Sequence, residues 1–518
     1  MPEPGAGIVL VGMPGSGKST VGRLVAERLG RPFVDTDELF ADLHGISVPD
    51  FLRERGEPAF RAAESEAVAR ACGMRGAVIG AGGGAVLDPL NRWALWHHGV
   101  VAWLDAPPEQ LVERLNADGV ARPTFQPYGA GRLAAVRSER ASAYRGADLV
   151  VDASHEAARI AAEVVARPTR PRARVLLDAE FERHHPIGPR KARLLMGLDL
   201  EPYPGGVAVV DRRLPRALVD RLSTRACMEV AGGERSKRMR RLERILEWLA
   251  EQRIERDEPL LAVGGGTVGD LAGTAAALFA RGLPLVQVPT TWLAQADSAI
   301  GGKVAVDLSH AKNAVGAFWP PVEVRSDVGA LRSLPPRLRR DGMAESVKSA
   351  LIGDAALWQL IETRGRAALR ADEAARYAII ERSARLKLAV CDRDPFETGE
   401  RRSLNLGHTV GHALEVESGY RLRHGSAVAL GLRAAASIAR GRGADPMLPE
   451  RLDALLADLG FGLRQPFDVT AVRRAMLADK KRRAGRQRWI LPMQIGETLE
   501  VDDVTDDELG RALRTIAA

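Results

Sequence analysis

The sequence predicts an α/β protein in three parts: a parallel sheet with flanking helices, a second α/β domain, and an all-α domain running to the end. Three observations predict it. Short apolar runs alternate with helix-length amphipathic stretches through the first third of the chain. The alternation resumes after a break rich in arginine and proline. Beyond about residue 335 the apolar runs give way to long Ala-, Leu-, Arg- and Glu-rich segments.

Taken in order, GIVLVG, PFVDTD, AVIGAGGG, VVAWLD and ADLVVDA read as strands between residues 7 and 153, the apolar ones as buried parallel strands. RPTRPRAR at 167–174 reads as a linker, because proline cannot continue a helix and like charges repel. VAVVD (207–211), LLAVGGG (260–266), PLVQVPT (284–290) and VEVRS (322–326) are the strands of the second domain. The expected parts are therefore 1–166, the linker 167–174, 175–334, and 335–518.

With 518 residues, 46% apolar and 27% charged, the chain is long enough for several packed cores and is not of disordered composition. A net charge of +7 suits anionic small molecules. Nucleic acid is disfavoured, since aromatics are only 5% and none interleave with a basic segment. Cys72, Cys227 and Cys391 lie far apart, which argues against a disulfide framework. The start lacks a secretory pattern and no apolar run reaches membrane-spanning length, so a cytoplasmic, membrane-free protein is expected.

GMPGSGKS, from Gly12 to Ser19, fits the phosphate-binding P-loop pattern between a strand and a helix. Gly12, Gly15, Ser16 and Gly17 let the backbone curl so that its N–H groups face phosphate oxygens, with Thr20 on the helix that follows. Lys18 would neutralise the outer phosphates of a nucleoside triphosphate and Ser19 would hold Mg²⁺. Asp35 and Asp37 follow in FVDTD, where strand alternation would put both on one side; two such aspartates are also common caps. Further on come Arg61 in FRAAE, the run Gly82, Gly83, Gly84, then Arg122 in ARPTF and Arg140 in RASAY.

In that order these residues resemble shikimate kinase over essentially all of residues 5–165. The resemblance implies Asp35 beside Mg²⁺, Asp37 on the acceptor hydroxyl, and Arg61, Arg140 and the three glycines around shikimate. Arg122 would stabilise charge on ATP from a mobile lid; the family's RPLL reads RPTF here. Two arginines suit a carboxylate because the guanidinium fork matches it.

GGGTVGD (264–270) opens a helix after a strand, a loose match to the dinucleotide fingerprint. With FARG, VPTTWLAQADSAIGGKVAVD and AKNAVGAF it resembles 3-dehydroquinate synthase, from about residue 175 to 500. That resemblance implies a Rossmann-like domain whose NAD contacts are Asp211, Glu234, Lys237, Gly265, Gly266, Thr267, Asp270, Thr290, Thr291, Asp297 and Lys312. Where the family has an asparagine after the first strand, this chain has Arg213; Asp211 is retained, so NAD is expected over NADP.

NLGHTVGH puts His408 and His412 at i and i+4 on one helix face, with His424 in a loop-like RLRHG and Glu345 in helical AESVK. Spacing alone favours the i, i+4 pair as metal ligands. The resemblance instead assigns Glu345, His408 and His424 to Zn²⁺ or Co²⁺, and leaves His412 with Glu397 and Lys348 for proton transfer. It further implies that Lys303, Asn313, Lys387, Arg401, Asn405 and a lysine of DKK (Lys480 or Lys481) bind heptulosonate phosphate beside the metal ligands. Arg281 would reach the neighbouring subunit's site, which implies a homodimer. The implied reactions are phosphorylation of shikimate, and oxidation, phosphate elimination, reduction and ring closure of the heptulosonate phosphate. The alternatives are a related sugar phosphate cyclase, or one half that only senses ligands.

Overall fold

The computed structural model describes residues 6–118, 129–166, 173–186, 188, 190–308, 311–477, 482–483 and 486–518. The chain divides into two compact units, Met1–Glu180 with Arg193–Glu201, and Phe181–Ala192 with Pro202–Ala518.

In the first unit five parallel strands are Gly7–Val11, Phe33–Asp35, Val78–Gly80, Gly99–Asp105 and Leu149–Asp152. Their spatial order is second, third, first, fourth, fifth, which places Gly7–Val11 at the centre. This strand is fully buried, as a β-branched run covered on both faces should be. Its C-terminal end feeds the glycine turn and the helix Lys18–Leu29, so the P-loop sits at the edge where parallel sheets bind ligands. The helix Val48–Gly73 is broken at Gly56, whose φ of 77° lies in the left-handed region open to glycine.

The residues just after the Arg/Pro stretch pack with this first unit. Arg174 makes a buried ion pair with Asp148 at 2.8 Å and donates to Gly99 O. Glu180 and Phe181 fall in different compact units, and residues 167–172 of the expected linker lie outside the described set.

The strands Glu323–Asp327, Leu285–Pro289, Leu260–Gly264, Val207–Asp211 and Ala226–Val230 of the second unit pair in parallel in that spatial order, as five of the seven strands of a sheet whose other two are Arg174–Arg183 and Arg190–Leu198. One face packs Val207, Val209, Leu260 and Leu285 against Val268, Leu271 and Ala275 of the helix Gly266–Leu278 and Leu242, Ile245 and Leu249 of Met239–Glu251. Pro336–Gly353 opens the helical part, followed by Ala355–Arg370, Glu373–Arg393, His408–Glu417 and His424–Arg440. The all-α domain expected to run to the end also contains a β-hairpin, Trp489–Gln494 with Glu497–Val501. Its WILPMQ run buries Trp489, Ile490 and Leu491, and Gly496 at φ 87° makes the turn. Among the described residues no helix is long and apolar enough to cross a membrane.

Candidate active sites

The first site is assembled by two glycine loops facing each other across strand ends. Lys18 donates to Gly12 O at 3.1 Å and Met13 O at 3.0 Å, which keeps its ammonium against the glycine loop. Ser19 Oγ donates to Asp35 Oδ2 at 2.6 Å, so the two proposed Mg²⁺ neighbours already meet. Asp35 ends its strand and caps the helix Thr36–His44, accepting from Asp37 N at 2.9 Å. Asp37 is therefore placed by the first helical turn and not by strand alternation, and the capping role raised from sequence coexists with the Ser19 contact.

The run Gly82–Gly84 brings the acceptor residues together. A Cβ at Gly82 would lie 2.7 Å from Asp37 Oδ1 and 3.2 Å from Glu64 Oε1; one at Gly84 would lie 2.5 Å from Arg61 Nη1. Arg140 donates to Gly83 O at 2.8 Å, and Tyr144 OH donates to the same oxygen at 2.6 Å. Arg61 pairs with Glu64 at 2.7 Å and Glu57 at 3.0 Å. Burial raises the Glu64 carboxyl above its ordinary value, with Arg61 opposing and Asp37 adding to the rise. A charged donor pair, a buried carboxyl and Asp37 thus surround one small side-chain-free surface, which fits a polyol bearing a carboxylate. Tyr144 was not singled out from sequence; its position one turn after Arg140 on Ala130–Tyr144 was the available signal. Arg122 lies outside the described residues.

In the second unit, Gly265 caps the helix Gly266–Leu278, with Thr267 in its first turn. Cβ atoms at Gly265 and Gly266 would meet Thr291 at 3.0 Å and Ser298 at 2.9 Å, so the loop must stay bare. Thr290 N donates to Gly264 O at 2.9 Å and joins the next strand end to this loop. Asp211 ends the strand Val207–Asp211, where Arg213 clasps it with Nε at 3.0 Å and Nη2 at 2.8 Å. Burial would raise the Asp211 carboxyl, but these contacts outweigh it and hold it below its usual value. Lys237 pairs with Asp270 and donates to Asn313 Oδ1, while Lys312 reaches Glu234 at 3.2 Å.

Asp297 sits in a π-helical turn, Ala294–Ser298, a form often found at functional sites. It is contacted by Lys387 at 2.5 Å and approached by Lys348 at 4.0 Å. Lys348 also binds Glu345 Oε2 at 2.6 Å, one turn away on the same helix. Burial works against its charge, yet Asp297 and Glu345 keep the ammonium above its ordinary value.

Ligand atoms of Glu345, His408 and His424 lie within 4.8 Å of one another, as do those of His412, Glu415 and His424. The first set fits a divalent ion. His424 Nε2 is 2.9 Å and His408 Nε2 3.4 Å from the same Glu345 Oε1, so three donors converge. The far nitrogens are held by others, His408 Nδ1 facing Leu406 O at 3.1 Å and His424 Nδ1 facing Glu415 Oε2 at 3.3 Å. That leaves both Nε2 atoms for one ion, the donor set of a zinc site with an open position. Despite burial, hydrogen bonds to Glu345 and Glu415 push His424 up to about 10. His424 is the first residue of the helix His424–Arg440, not a loop residue.

The residues expected to bind an anionic substrate are tied to their surroundings by hydrogen bonds and ion pairs. Lys303 binds Glu397 at 2.5 Å, and Asn405 donates to the other Glu397 oxygen at 2.7 Å. Arg401 donates to Gly301 O and Pro395 O, both at 2.5 Å. Arg281 stands exposed at the end of the short turn Phe279–Arg281. Lys480 and Lys481 lie outside the described residues.

Residues 14–168 match the model of the shikimate kinase family. Residues 227–341 and 342–482 match those of the N-terminal and C-terminal parts of 3-dehydroquinate synthase. The 3-dehydroquinate synthase of Symbiobacterium thermophilum is 40% identical over 345 residues, 66% of this chain and 94% of that protein. The chain belongs to the 3-dehydroquinate synthase family, and it carries a shikimate kinase domain ahead of the synthase.

A 2-epi-valiolone synthase of Actinosynnema mirum is 40% identical over 294 residues, 55% of this chain and 76% of that protein. The solved 2-epi-5-epi-valiolone synthase of Streptomyces hygroscopicus subsp. jinggangensis, with NAD⁺ and Zn²⁺ bound, superposes with a TM-score of 0.60 and 26% identity. It covers 64% of this chain and 98% of its own. Within the synthase, Glu415 is the residue that sequence reasoning missed. It lies beside His412 and His424 and also reaches Lys312 at 3.3 Å. Its place three residues after His412 on the helix His408–Glu417 was the signal, hidden because a lone glutamate on a helix reads as a solvated face.

Proposed function

We propose that this bifunctional enzyme works at two separate sites with the residues assembled above. The first transfers a phosphoryl group from ATP to the 3-hydroxyl of shikimate. The second converts 3-deoxy-D-arabino-heptulosonate 7-phosphate to 3-dehydroquinate with release of phosphate. The observation that carries the reading is the convergence of Glu345, His408 and His424 on one point beside Lys348, in a chain whose other unit pairs a P-loop with two arginines.

At the first site, Lys18 leaves its carbonyl partners for the β- and γ-phosphates, and Ser19 with Asp35 holds Mg²⁺. Asp37 accepts or orients the acceptor hydroxyl, Arg61 and Arg140 hold the carboxylate, and Arg122 balances charge on ATP. At the second, NAD⁺ and a zinc or cobalt ion are the proposed cofactors; bound there, they supply oxidation of a polarised substrate hydroxyl and return of the same hydride. Lys303, Asn313, Lys387, Arg401 and Asn405, with Lys480 or Lys481, bind the phosphate and carboxylate. His412, Glu397 and Lys348 move protons; Glu397, held between Lys303 and Asn405, stays ionised and accepts them.

A zinc-selective chelator added in excess Mg²⁺ should abolish phosphate release from the heptulosonate phosphate and leave shikimate phosphorylation unchanged. Phosphate release that survives complete metal removal would refute the second site. A cyclase forming another carbocycle is the second reading, favoured by the valiolone synthase likeness; turnover of heptulosonate phosphate against other sugar phosphates decides it. We further propose domain limits of 1–166, 175–334 and 335–518, a homodimer through the synthase half with Arg281 at the partner's site, and a cytoplasmic location in keeping with three free cysteines. Light scattering of the full chain checks the dimer.

A further inference from the structure

Glu415 belongs to neither the nucleotide set nor the metal set, yet it touches one member of each. Its Oε1 accepts from Lys312 Nζ at 3.3 Å, and its Oε2 faces His424 Nδ1 at 3.3 Å. The side chain is only 6% exposed, so water cannot replace either partner. Lys312 is itself shared, with Glu234 at 3.2 Å on its other side. His424 is likewise shared, with Glu345 Oε1 at its Nε2. A continuous chain of charged contacts thus runs from the nucleotide loop to the metal ligands, and Glu415 is its middle link.

We propose that Glu415 is a positioning residue that couples nucleotide binding to metal binding. The inference rests on the reading of Lys312 as a nucleotide contact and His424 as a metal ligand. In the structure one carboxylate divides itself between an ammonium and an imidazole. An anionic nucleotide arriving at Lys312 draws the ammonium toward itself, and Glu415 is left with His424 as its main partner. An imidazole whose Nδ1–H is held by a carboxylate has a fixed tautomer and a more basic Nε2, so it binds a metal more tightly. Thermodynamic linkage requires the reverse as well: bound metal tightens the nucleotide by the same factor. Each ligand therefore prepares the site for the other, so that hydride chemistry begins only when both are present.

The test uses the full-length, metal-stripped protein. Zinc affinity is measured by competition with a chromophoric chelator, with and without saturating NAD⁺, and NAD⁺ affinity by calorimetry, with and without zinc. In the wild type, NAD⁺ should tighten zinc by roughly 5- to 50-fold, and zinc should tighten NAD⁺ by the same factor. In Glu415→Gln, which keeps the shape and removes the charge, both factors should fall below about twofold, and zinc alone should bind roughly 10- to 100-fold more weakly. Glu417→Gln, on the same helix with its side chain on Asp468 N, should behave as wild type. If Glu415→Gln does not fold, Glu415→Asp keeps the charge but is too short to span both partners, and its coupling should likewise drop. Coupling that persists in the folded Gln or the Asp variant overturns the proposal. Wild-type protein that binds zinc and NAD⁺ independently also overturns it, while leaving the proposed function intact. Wild-type protein that binds neither removes the functional reading itself.

Discussion

Asp37 and Arg213 are the single side chains proposed to set what each site accepts. Asp37 stands 2.7 Å from the position a Cβ would take on Gly82, at the edge of the surface where an acceptor polyol would lie. Its replacement by asparagine keeps the size and removes the proton acceptor. Shikimate phosphorylation should fall by about 10²- to 10⁴-fold while ATP affinity stays unchanged; single-turnover kinetics with equilibrium ATP titration check it, and normal turnover would exclude the role. Arg213 clasps both oxygens of Asp211, at the strand end where a nucleotide ribose is expected. Its own side chain is 60% exposed, so it can also meet a further phosphate. Arg213→Asn bares the aspartate, and NADP⁺ binding should weaken by about tenfold relative to NAD⁺, equal to ~1.4 kcal/mol. Competitive titration of both nucleotides gives the ratio; an unchanged ratio would mean that the pair plays no part in discrimination.

Loops and helix ends deliver these side chains. Gly84 has an ordinary φ of −99°, so its need for glycine comes from the approach of Arg61 and not from backbone strain. The clash that alanine would create is with the tip of a flexible side chain, which can swing away. Gly84→Ala should therefore fold normally, with an unchanged melting temperature, and raise the KM for shikimate by about tenfold by displacing the Arg61 fork. A KM equal to wild type would separate Arg61 from substrate. At the synthase site, the π-helical turn at Ala294–Ser298 and the helix start at His424 perform the same service. Neither was legible in the sequence: ADS and RHG carry no periodic signal, and both shapes are imposed by what packs against them. Gly-rich motifs were legible because their chemistry is local; a bare backbone between a strand and a helix is needed wherever a phosphate must come close.

At the level of the molecule, the boundary between the units bears on how the halves are separated. Arg174 and Asp148 form a pair whose side chains are 4% and 7% exposed, within the first compact unit. A kinase fragment ending at residue 168 loses that arginine, while Asp148 keeps the hydrogen bond from Val101 N at 2.9 Å. Breaking such a pair costs about 3–5 kcal/mol. Fragment 1–201 should accordingly melt several degrees above fragment 1–168, with both retaining shikimate phosphorylation; identical melting temperatures would show that the strand after the linker adds nothing.

Sequence by itself determined the three-part α/β, α/β and helical order, the phosphate loop, and most of the charged residues available to each site. These follow from short-range rules: side-chain period, glycine freedom and the chemistry of residue types in fixed spacing. Which carboxylate stands beside which histidine was decided only by tertiary structure. Glu397 went to Lys303 and Asn405, while Glu415 took the place between Lys312 and His424. Contacts between residues a hundred positions apart depend on how whole helices pack, and packing is a property of the assembled core that no local pattern carries.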